Sequence, residues 1–300
     1  MPGHDIAFDK IFIQPLKALW LQPNNIRLDV LRLDVIHPVV SGNKWFKLKY
    51  YLADAKEKHA ITIGSFGGAY SNHIVALAYS CKKAGIKSLG VIRGEEPATL
   101  SATLTEAKTY GMELHFVSRT AYSNAEKIKE GFKEVYWIPE GGYGLSGAEG
   151  AAYILDFVPD FASYSHIVCA TGTGTMLAGI LRSALSHQTI LGISVMKGNT
   201  ALAEKVAALL DGESRNKNYK ILHGYHLGGY AKYPVELIAF MNDIWAQHQL
   251  PTDIIYTSKA LYAAQQMIMN HTIPPGSNVL FIHSGGLQGN RSLPPGTLHF

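Results

Sequence analysis

Short apolar stretches alternate with amphipathic helical stretches along most of the chain, and this alternation constrains the fold more than any other feature. A turn rich in glycine or small polar residues follows most of the apolar stretches. The predicted strands are residues 60–64, 88–92, 113–117, 166–170, 191–195 and the stretch NVLFIH that begins at residue 278. Because parallel strands need a crossover to return the chain, strands that alternate with helices indicate βαβ units. We therefore predict an α/β fold with doubly wound, mostly parallel sheets.

The βα units fall into two groups, separated by the glycine-rich segment PEGGYGLSGAEG at residues 139–150. This division predicts two lobes around a cleft. We expect a larger domain built from residues 1–45 and 155–300, and a smaller domain built from residues 46–154 that closes over the cleft. The sequence contains no repeat of fixed period and no low-complexity linker.

Composition excludes several classes of protein. Hydrophobic residues make up 47% of the 300 residues and charged residues only 17%, which favours a large packed core over disorder. The net charge of +4 is spread along the chain, without a block that would follow a nucleic-acid backbone or bind an anionic membrane. No apolar run approaches the roughly 18 residues of a membrane span, and the N-terminus lacks the apolar core of a signal peptide. We expect a cytoplasmic protein that binds neither nucleic acid nor membrane, with Cys81 and Cys169 as buried free thiols.

Three glycine-rich turns stand where strands end and helices begin, which is where α/β proteins bind ligands. They are residues 65–72 (SFGGAYSN), 171–175 (TGTGT) and 284–286 (SGG). TGTGT combines glycines, which allow close backbone approach, with three hydroxyl donors, and so predicts a phosphate site. A dinucleotide fingerprint fails because Leu177 stands at the position of its third glycine, and a Walker loop fails because no Gly-Lys-Ser/Thr follows. A plain tight turn is the alternative.

Lys44 is the second chemical signal. It belongs to the segment Ser-Gly-Asn-Lys at residues 41–44, between the strand-like LRLDVIHPVV and an amphipathic helix. Ser41 or Asn43 is expected to cap that helix, which places Lys44 near its N-terminal end. A lysine there opposes the helix macrodipole, and positive surroundings lower an amine pKa, as a Schiff-base lysine requires. A solvated surface lysine is the alternative.

Other catalytic patterns are missing from the sequence. The 13 histidines show no metal-ligand spacing such as H-E-x-x-H, so we expect no metal site. No G-x-S-x-G elbow is present, which argues against an α/β hydrolase.

Taken together, the segments resemble the fold-type II pyridoxal phosphate (PLP) enzymes. Within them the chain is similar to the family of 1-aminocyclopropane-1-carboxylate (ACC) deaminase and D-cysteine desulfhydrase. The resemblance spans nearly the whole chain in the right order: SGNKWFKLKYYLADA, ITIGSFGGAYSNH, PEGG, TGTGTMLAG, GGYAKYP, DIIYTSKALYA and NVLFIHSGGLQG. It implies the tryptophan synthase β-like fold, pyridoxal 5′-phosphate as cofactor, a small amino-acid substrate and a homodimer.

The resemblance also implies roles for individual residues. The catalytic residues would be Lys44, Ser71, Tyr230 and Tyr256. The cofactor would be bound by Lys44 and by Lys47, Asn72, Thr171, Gly172, Thr173, Gly174, Thr175, Thr257 and Ser284. Lys44 would hold the cofactor covalently and move the Cα proton. Asn72 would hydrogen-bond the ring oxygen, Ser71 would contact the substrate carboxylate or act in ring opening, and the two tyrosines would flank the substrate. Lys47 and the TGTGT loop would hold the phosphate.

Two departures from the family pattern concern the phosphate and substrate loops. Thr175 and Met176 replace the Gly-Thr that usually ends the phosphate loop, and Tyr143-Gly144 replaces the usual Asn-Pro after PEGG.

Two further positions bear on the reaction. ACC deaminases carry a glutamate directly after the second tyrosine and a leucine in the HxGG segment, where this chain has Thr257 and Ser284. Neutral hydroxyls there favour an unprotonated pyridine nitrogen, which suffices for thiol elimination but not for opening a cyclopropane. We therefore expect the conversion of D-cysteine to pyruvate, ammonia and sulfide. ACC deamination is the first alternative, and a non-catalytic protein that binds PLP or a phosphate metabolite is the second.

Overall fold

A computed structural model describes residues 5–300, in ten strands and ten α-helices. The strands are β1 (Ile13–Leu16), β2 (Arg27–Arg32), β3 (Thr62–Gly67), β4 (Lys87–Arg93), β5 (Met112–Val117), β6 (Val135–Ile138), β7 (His166–Thr171), β8 (Thr189–Ser194), β9 (Asn218–Leu222) and β10 (Asn278–His283). The helices are α1 (Asn43–Glu57), α2 (Asn72–Ala84), α3 (Ala102–Thr109), α4 (Arg119–Tyr122), α5 (Ala125–Glu130), α6 (Leu145–Ala152), α7 (Thr175–Ser183), α8 (Leu202–Ala207), α9 (Val235–His248) and α10 (Thr257–Met269).

The strands form two sheets. Six strands form the larger sheet in the order β1-β2-β10-β7-β8-β9, and four form the smaller sheet in the order β5-β4-β3-β6. Every pairing is parallel except that of β1 with β2. The central strands β7 and β10 are buried from their second residue onward, as their continuous apolar sequences require. The predicted α/β class with mostly parallel sheets is confirmed.

Local sequence signals explain where the helices of the smaller sheet begin and end. Ser71 precedes α2, and its side-chain oxygen accepts a hydrogen bond from the backbone N–H of Ile74. Gly85 ends the same helix in the left-handed conformation, at φ 69°, where glycine has no steric penalty. Ser101 caps α3 in the same way as Ser71 caps α2.

Three strands and one boundary differ from the sequence prediction. The sequence analysis did not identify β1, β6 or β9. The stretch LRLDVIHPVV is not one strand: β2 ends at Arg32, and a 3-10 turn follows at Asp34–Ile36. Arg32 explains the turn, because its guanidinium group donates two hydrogen bonds back to the Asp34 carboxylate at 2.8 and 2.6 Å.

Glycines allow helices α1, α6 and α7 to pack closely between the two sheets. A Cβ on Gly150 of α6 would lie 1.9 Å from the Phe46 carbonyl oxygen of α1, and one on Gly179 of α7 would lie 2.5 Å from the Ala151 Cβ. The two-domain division stays a prediction. Its boundary after residue 45 falls inside α1.

Candidate active site

The C-terminal ends of strands from both sheets face one cavity of about 310 Å³. Eleven of the thirteen predicted site residues line it: Lys44, Lys47, Ser71, Asn72, Thr171, Gly172, Thr173, Gly174, Tyr230, Tyr256 and Ser284. Thr175 and Thr257 are fully buried but do not line the cavity. The loops that the sequence analysis singled out therefore come together in space.

Lys44 is the second residue of α1, and its side chain is buried at 9% exposure. Its Nζ donates a hydrogen bond to Asn43 Oδ1 at 2.6 Å and lies 5.9 Å from the centre of the Tyr256 ring. Burial lowers the pKa of Lys44 from 10.5 to about 8, while the negative charge of Asp253 opposes this effect. The low pKa was expected, but its cause was not: burial, rather than positive surroundings, is responsible.

The turn before Lys44 depends on glycine. Gly42 precedes α1 with φ 59°, and a Cβ there would lie 1.9 Å from the Ser284 carbonyl oxygen. That same oxygen accepts a hydrogen bond from the Asn43 N–H at 3.0 Å. The expected side-chain cap was wrong, because neither Ser41 nor Asn43 caps the helix. The Ser41 hydroxyl instead donates to the Asp34 carbonyl oxygen at 3.1 Å.

The TGTGT loop lies at the N-terminus of α7, where the first backbone N–H groups have no partner within the helix. Thr173 lines the cavity, and its Oγ1 is 3.0 Å from Thr175 Oγ1. Met176, which stands where the family usually has threonine, also lines the cavity, and its sulfur accepts a hydrogen bond from Asn43 Nδ2 at 3.1 Å. The hydroxyl displaced to Thr175 therefore supports Thr173 instead of facing the cavity.

The Tyr143-Gly144 departure has a structural role. The Tyr143 carbonyl oxygen accepts a hydrogen bond from the Tyr51 hydroxyl at 2.6 Å, and the Tyr143 hydroxyl donates to the Lys205 carbonyl oxygen at 3.1 Å. Gly144 has φ 138°, and a Cβ there would lie 2.2 Å from the Tyr51 hydroxyl oxygen. The segment thus fixes the loop after PEGG between α1 and α8.

The side chains of Lys47 and His73 are both buried in the wall of this cavity. Burial, together with the charge of Lys44, lowers the pKa of Lys47 well below its ordinary value. Burial and the charges of the two lysines lower the pKa of His73 to about 3, so this imidazole is neutral at pH 7. A site for an anionic group fits here, because an anion would stabilise the ammonium form of Lys47.

The hydrogen-bond network fixes the tautomer of His73. Ser65 Oγ donates its proton to the Ile138 carbonyl oxygen at 2.8 Å, so His73 Nε2–H must donate to Ser65 Oγ, also at 2.8 Å. His73 Nδ1 is then a bare acceptor. The sequence analysis quoted His73 within SNH but gave it no role.

Three buried polar atoms of cavity-lining residues have no hydrogen-bond partner within residues 5–300. They are Asn72 Oδ1, His73 Nδ1 and Thr171 Oγ1. A buried polar group without a partner costs about 1–3 kcal/mol, so the wall of this cavity contains polar groups that the fold alone does not satisfy. The Asn72 amide is fixed from its other end, because Nδ2 donates to the Gly286 carbonyl oxygen at 2.8 Å.

Asp253 positions the N-terminus of α10. One carboxylate oxygen accepts hydrogen bonds from the backbone N–H and hydroxyl of Thr257 at 2.8 and 2.7 Å. The other accepts from the backbone N–H groups of Ile255 and Tyr256, each at 3.0 Å. The Thr257 hydroxyl is thus committed to a buried carboxylate, and its surroundings are not the neutral ones that the sequence analysis assumed.

Two tyrosines, Tyr230 and Tyr256, line the cavity. Burial raises the pKa of Tyr256 well above its ordinary value, and the Tyr230 pKa is also raised, mainly by burial. Both phenols are therefore protonated donors at pH 7. Other lining residues were not foreseen: Arg93 and Glu140 from the smaller sheet, and Asn199, whose Nδ2 donates to the Gly172 carbonyl oxygen at 3.2 Å. Arg93 and Asn199 lie outside the glycine-rich segments used for prediction, whereas Glu140 lies within PEGG but was given no role.

Residues 5–300 were also compared with what a metal site and a membrane-spanning helix require. Residues 5–300 contain no group of three or more histidine, cysteine, aspartate or glutamate residues placed to bind a metal ion. Over the same residues, no helix combines the length and the apolar character needed to cross a bilayer.

A buried lysine of lowered pKa shares one cavity with a glycine-rich loop at a helix N-terminus, where strands from two mostly parallel sheets end. This combination is expected of fold-type II PLP enzymes. Comparison with known proteins agrees. The family model described as "Pyridoxal-phosphate dependent enzyme" matches residues 23–285, and the chain belongs to this family. The expected cofactor, pyridoxal phosphate, is thereby confirmed.

Similarity to individual proteins extends over most of the chain. A Thermotoga maritima protein, named provisionally as a 1-aminocyclopropane-1-carboxylate deaminase, is 31% identical, and the alignment covers 95% of this chain and 96% of that protein. A mitochondrial protein of Arabidopsis thaliana, named bifunctional D-cysteine desulfhydrase/1-aminocyclopropane-1-carboxylate deaminase, is 30% identical over 89% of this chain and 74% of its own. The crystal structure of an ACC deaminase homologue has a TM-score of 0.79 and 25% identity, over 93% of this chain and 90% of the other. The predicted resemblance to the ACC deaminase and D-cysteine desulfhydrase family is confirmed.

Proposed function

We propose that this enzyme deaminates a small α-amino acid by breaking a bond at Cβ. In D-cysteine this is the bond from Cβ to sulfur, which breaks once the Cα proton is removed. In ACC, whose Cα carries no hydrogen, it is a ring bond between Cα and Cβ. One observation carries the proposal: Lys44, buried and with a pKa near 8, shares a cavity with Ser71, Tyr230 and Tyr256. An amine of that pKa is partly neutral at physiological pH and can accept a proton. The products would be ammonia and a 2-oxo acid.

The residues of the cavity fit pyridoxal phosphate. Lys44 would hold the cofactor, and the TGTGT loop with Lys47 would bind its phosphate. Asn72 and Ser284 are the polar groups available to its ring. The bound cofactor supplies an electron sink for the electron pair left at Cα when a bond to Cα breaks.

The substrate would bind on the side of Ser71 and the tyrosines. Ser71 precedes α2, so a carboxylate beside it would face the positive end of that helix. For D-cysteine, Lys44 Nζ would take the Cα proton, and Tyr230 or Tyr256, both protonated, would donate a proton to the departing sulfur. For ACC, Lys44 would instead take a proton from a ring methylene, and the carbon released from Cα by ring opening would gain a proton. At pH 7 the tyrosines are protonated, whereas Lys44, with a pKa of about 8, is neutral in only part of the molecules.

ACC is the first candidate substrate. The names of the Thermotoga and Arabidopsis relatives both include ACC deaminase. The argument against ACC is also weaker than the sequence suggested, since a buried carboxylate, Asp253, lies directly behind Thr257.

D-cysteine is the second candidate, and Ser284 favours it. Ser284 lines the cavity with a neutral hydroxyl where ACC deaminases have leucine. The name of the Arabidopsis relative includes both activities.

Product analysis tests the proposal. Purified enzyme with a cofactor band near about 420 nm is incubated with ACC, D-cysteine and L-cysteine. ACC would yield 2-oxobutanoate and ammonia, whereas D-cysteine would yield pyruvate, ammonia and sulfide. Lys44→Ala should abolish both reactions, and Lys56→Ala, an exposed lysine of the same helix, should not. If the PLP-loaded enzyme forms neither 2-oxobutanoate nor pyruvate, the proposed substrates are wrong.

Two further expectations stay predictions. A homodimer is proposed, and sedimentation of the purified enzyme would test it. The cytoplasm is proposed as the compartment, although the Arabidopsis relative is named as mitochondrial.

A further inference from the structure

We propose that Lys259, which does not line the cavity, is a positioning residue that fixes Tyr230 by binding the loop that carries it. The inference rests on the proposed function of the site and adds a residue to it. The loop comprises residues 226–231, and Tyr230 is its cavity-lining member.

Lys259 reaches this loop from the helix that also positions the second tyrosine. It is the third residue of α10, it is fully buried, and Tyr256 directly precedes that helix. Its Nζ donates to the carbonyl oxygen of His226 at 3.0 Å and to that of Gly229 at 2.6 Å. Within residues 5–300 both of its hydrogen-bond acceptors thus lie in the loop. One helix end therefore sets the positions of Tyr256 and Tyr230 together.

The loop needs such an anchor because its backbone is strained. Leu227 and Ala231 have φ values of 48° and 55°, a region that side chains of L-residues rarely adopt, and Gly228 and Gly229 have φ values of 90° and 115°. Strained conformations persist only where the surroundings over-determine them. The loop's own hydrogen bonds are few and local, such as that from the Gly229 N–H to the His226 carbonyl oxygen at 3.0 Å.

The chemistry of Lys259 argues against a merely structural lysine. A lysine is almost never fully buried unless its charge is compensated, since desolvation disfavours the ammonium form. Burial lowers the pKa of Lys259 to about 8, although the charge of Asp253 opposes this effect. A methionine would fill the same space without an electrostatic cost but could not donate hydrogen bonds. The two hydrogen bonds to backbone carbonyls therefore explain why this position is a lysine.

Hydrogen exchange and kinetics on the PLP-loaded enzyme test the proposal. Lys259→Met removes the donors and keeps most of the volume. Lys82→Met is the matched control, because Lys82 also donates to a backbone carbonyl, that of Thr109 at 3.3 Å, but lies exposed on α2. In Lys259→Met we expect the amides of Gly229 and Lys232 to exchange at least tenfold faster, while the band near about 420 nm is retained. Lys82→Met should leave these amides unchanged.

The kinetic arm links Lys259 to Tyr230. With the better of the two proposed substrates, Lys259→Met should lower kcat/KM at least tenfold, and the same change made in a Tyr230→Phe enzyme should cost less than twofold. Equal losses in both backgrounds would overturn the proposal, as would unchanged exchange of the loop. If Lys259→Met does not fold, Lys259→Gln, which keeps one amide donor, decides by the same measurements. If the wild type turns over neither substrate, the proposed function fails, but the exchange of the loop still decides the role of Lys259.

Discussion

Replacing Lys44 by methionine should stabilise the cofactor-free protein while abolishing activity. The reason is that Lys44 is held in a buried site that disfavours its charge. Burial lowers its pKa from 10.5 to about 8. At about 1.4 kcal/mol per pH unit, this interval corresponds to about 3 kcal/mol of destabilisation at pH 7. Methionine has a similar length and no charge, so the variant should recover most of that amount.

The pH dependence identifies the cause. Between pH 8 and 10.5 the unfolded chain binds the Lys44 proton and the native protein does not, so the free energy of unfolding of the wild type rises with pH. Below pH 8 the cost is fully present, and above pH 10.5 it is gone. Urea unfolding of the cofactor-free proteins should therefore show an advantage of about 3 kcal/mol for Lys44→Met at pH 7, and of about 1 kcal/mol at pH 9.5.

The control is Lys56→Met, which changes an exposed lysine in the last turn of the same helix. It should alter the free energy of unfolding by no more than about 0.5 kcal/mol at either pH. If Lys44→Met is no more stable than the wild type at pH 7, burial does not strain this lysine. An advantage that stays constant up to pH 10.5 would instead assign the gain to packing.

Three further predictions follow from the site. Gly42→Ala should unfold the site or abolish cofactor binding, because the new Cβ would meet the Ser284 carbonyl. Gly85→Ala is the control: Gly85 also has a positive φ but open space around it, so the change should cost only about 1–2 kcal/mol of stability. Thermal unfolding and the absorbance band near about 420 nm measure both variants. The His73 pKa is about 3 in the folded protein, so between pH 6.5 and 3 only the unfolded chain binds a proton at this residue. Lowering the pH from 7 to 4 should therefore reduce the free energy of unfolding of the wild type by about 3 kcal/mol more than that of His73→Gln, as measured by urea unfolding. Asp253→Asn should cost about 2–4 kcal/mol and raise KM, since an amide NH₂ cannot accept the hydrogen bonds at the start of α10; an unchanged KM would contradict its role in placing Tyr256.

The strands that the sequence analysis missed share a structural position. β1, β6 and β9 are three of the four edge strands, and none of them is buried along its whole length. β1 and β9 contain polar residues such as Gln14 and Lys220, so no apolar run indicates them. β6 differs, because its sequence VYWI is apolar throughout but only four residues long. The edge strand β5 was predicted, whereas the inner strand β2 was placed too late in the chain, so position in the sheet explains only part of the result.

The kind of sequence signal also explains which predictions about the site residues were right and which were wrong. Glycine-rich turns identified Lys44, Asn72 and the TGTGT loop because such turns report backbone that approaches a ligand. They could not report which way a neighbouring hydroxyl points. Thr257 follows the second tyrosine, yet its hydroxyl turns away from the cavity to Asp253, four residues earlier.

The groups that weaken this fold are concentrated where the chemistry is proposed. Lys44, Lys47 and His73 line the cavity with lowered pKa values, and Lys259 stands behind one of its tyrosines. Each would be replaced by an apolar residue if stability alone decided the sequence, as apolar residues fill the two hydrophobic cores around them. Bound phosphate would stabilise the ammonium form of Lys47. These groups destabilise the cofactor-free protein, and cofactor binding relieves that destabilisation. Cofactor binding should therefore raise the melting temperature of the wild type more than that of Lys44→Met.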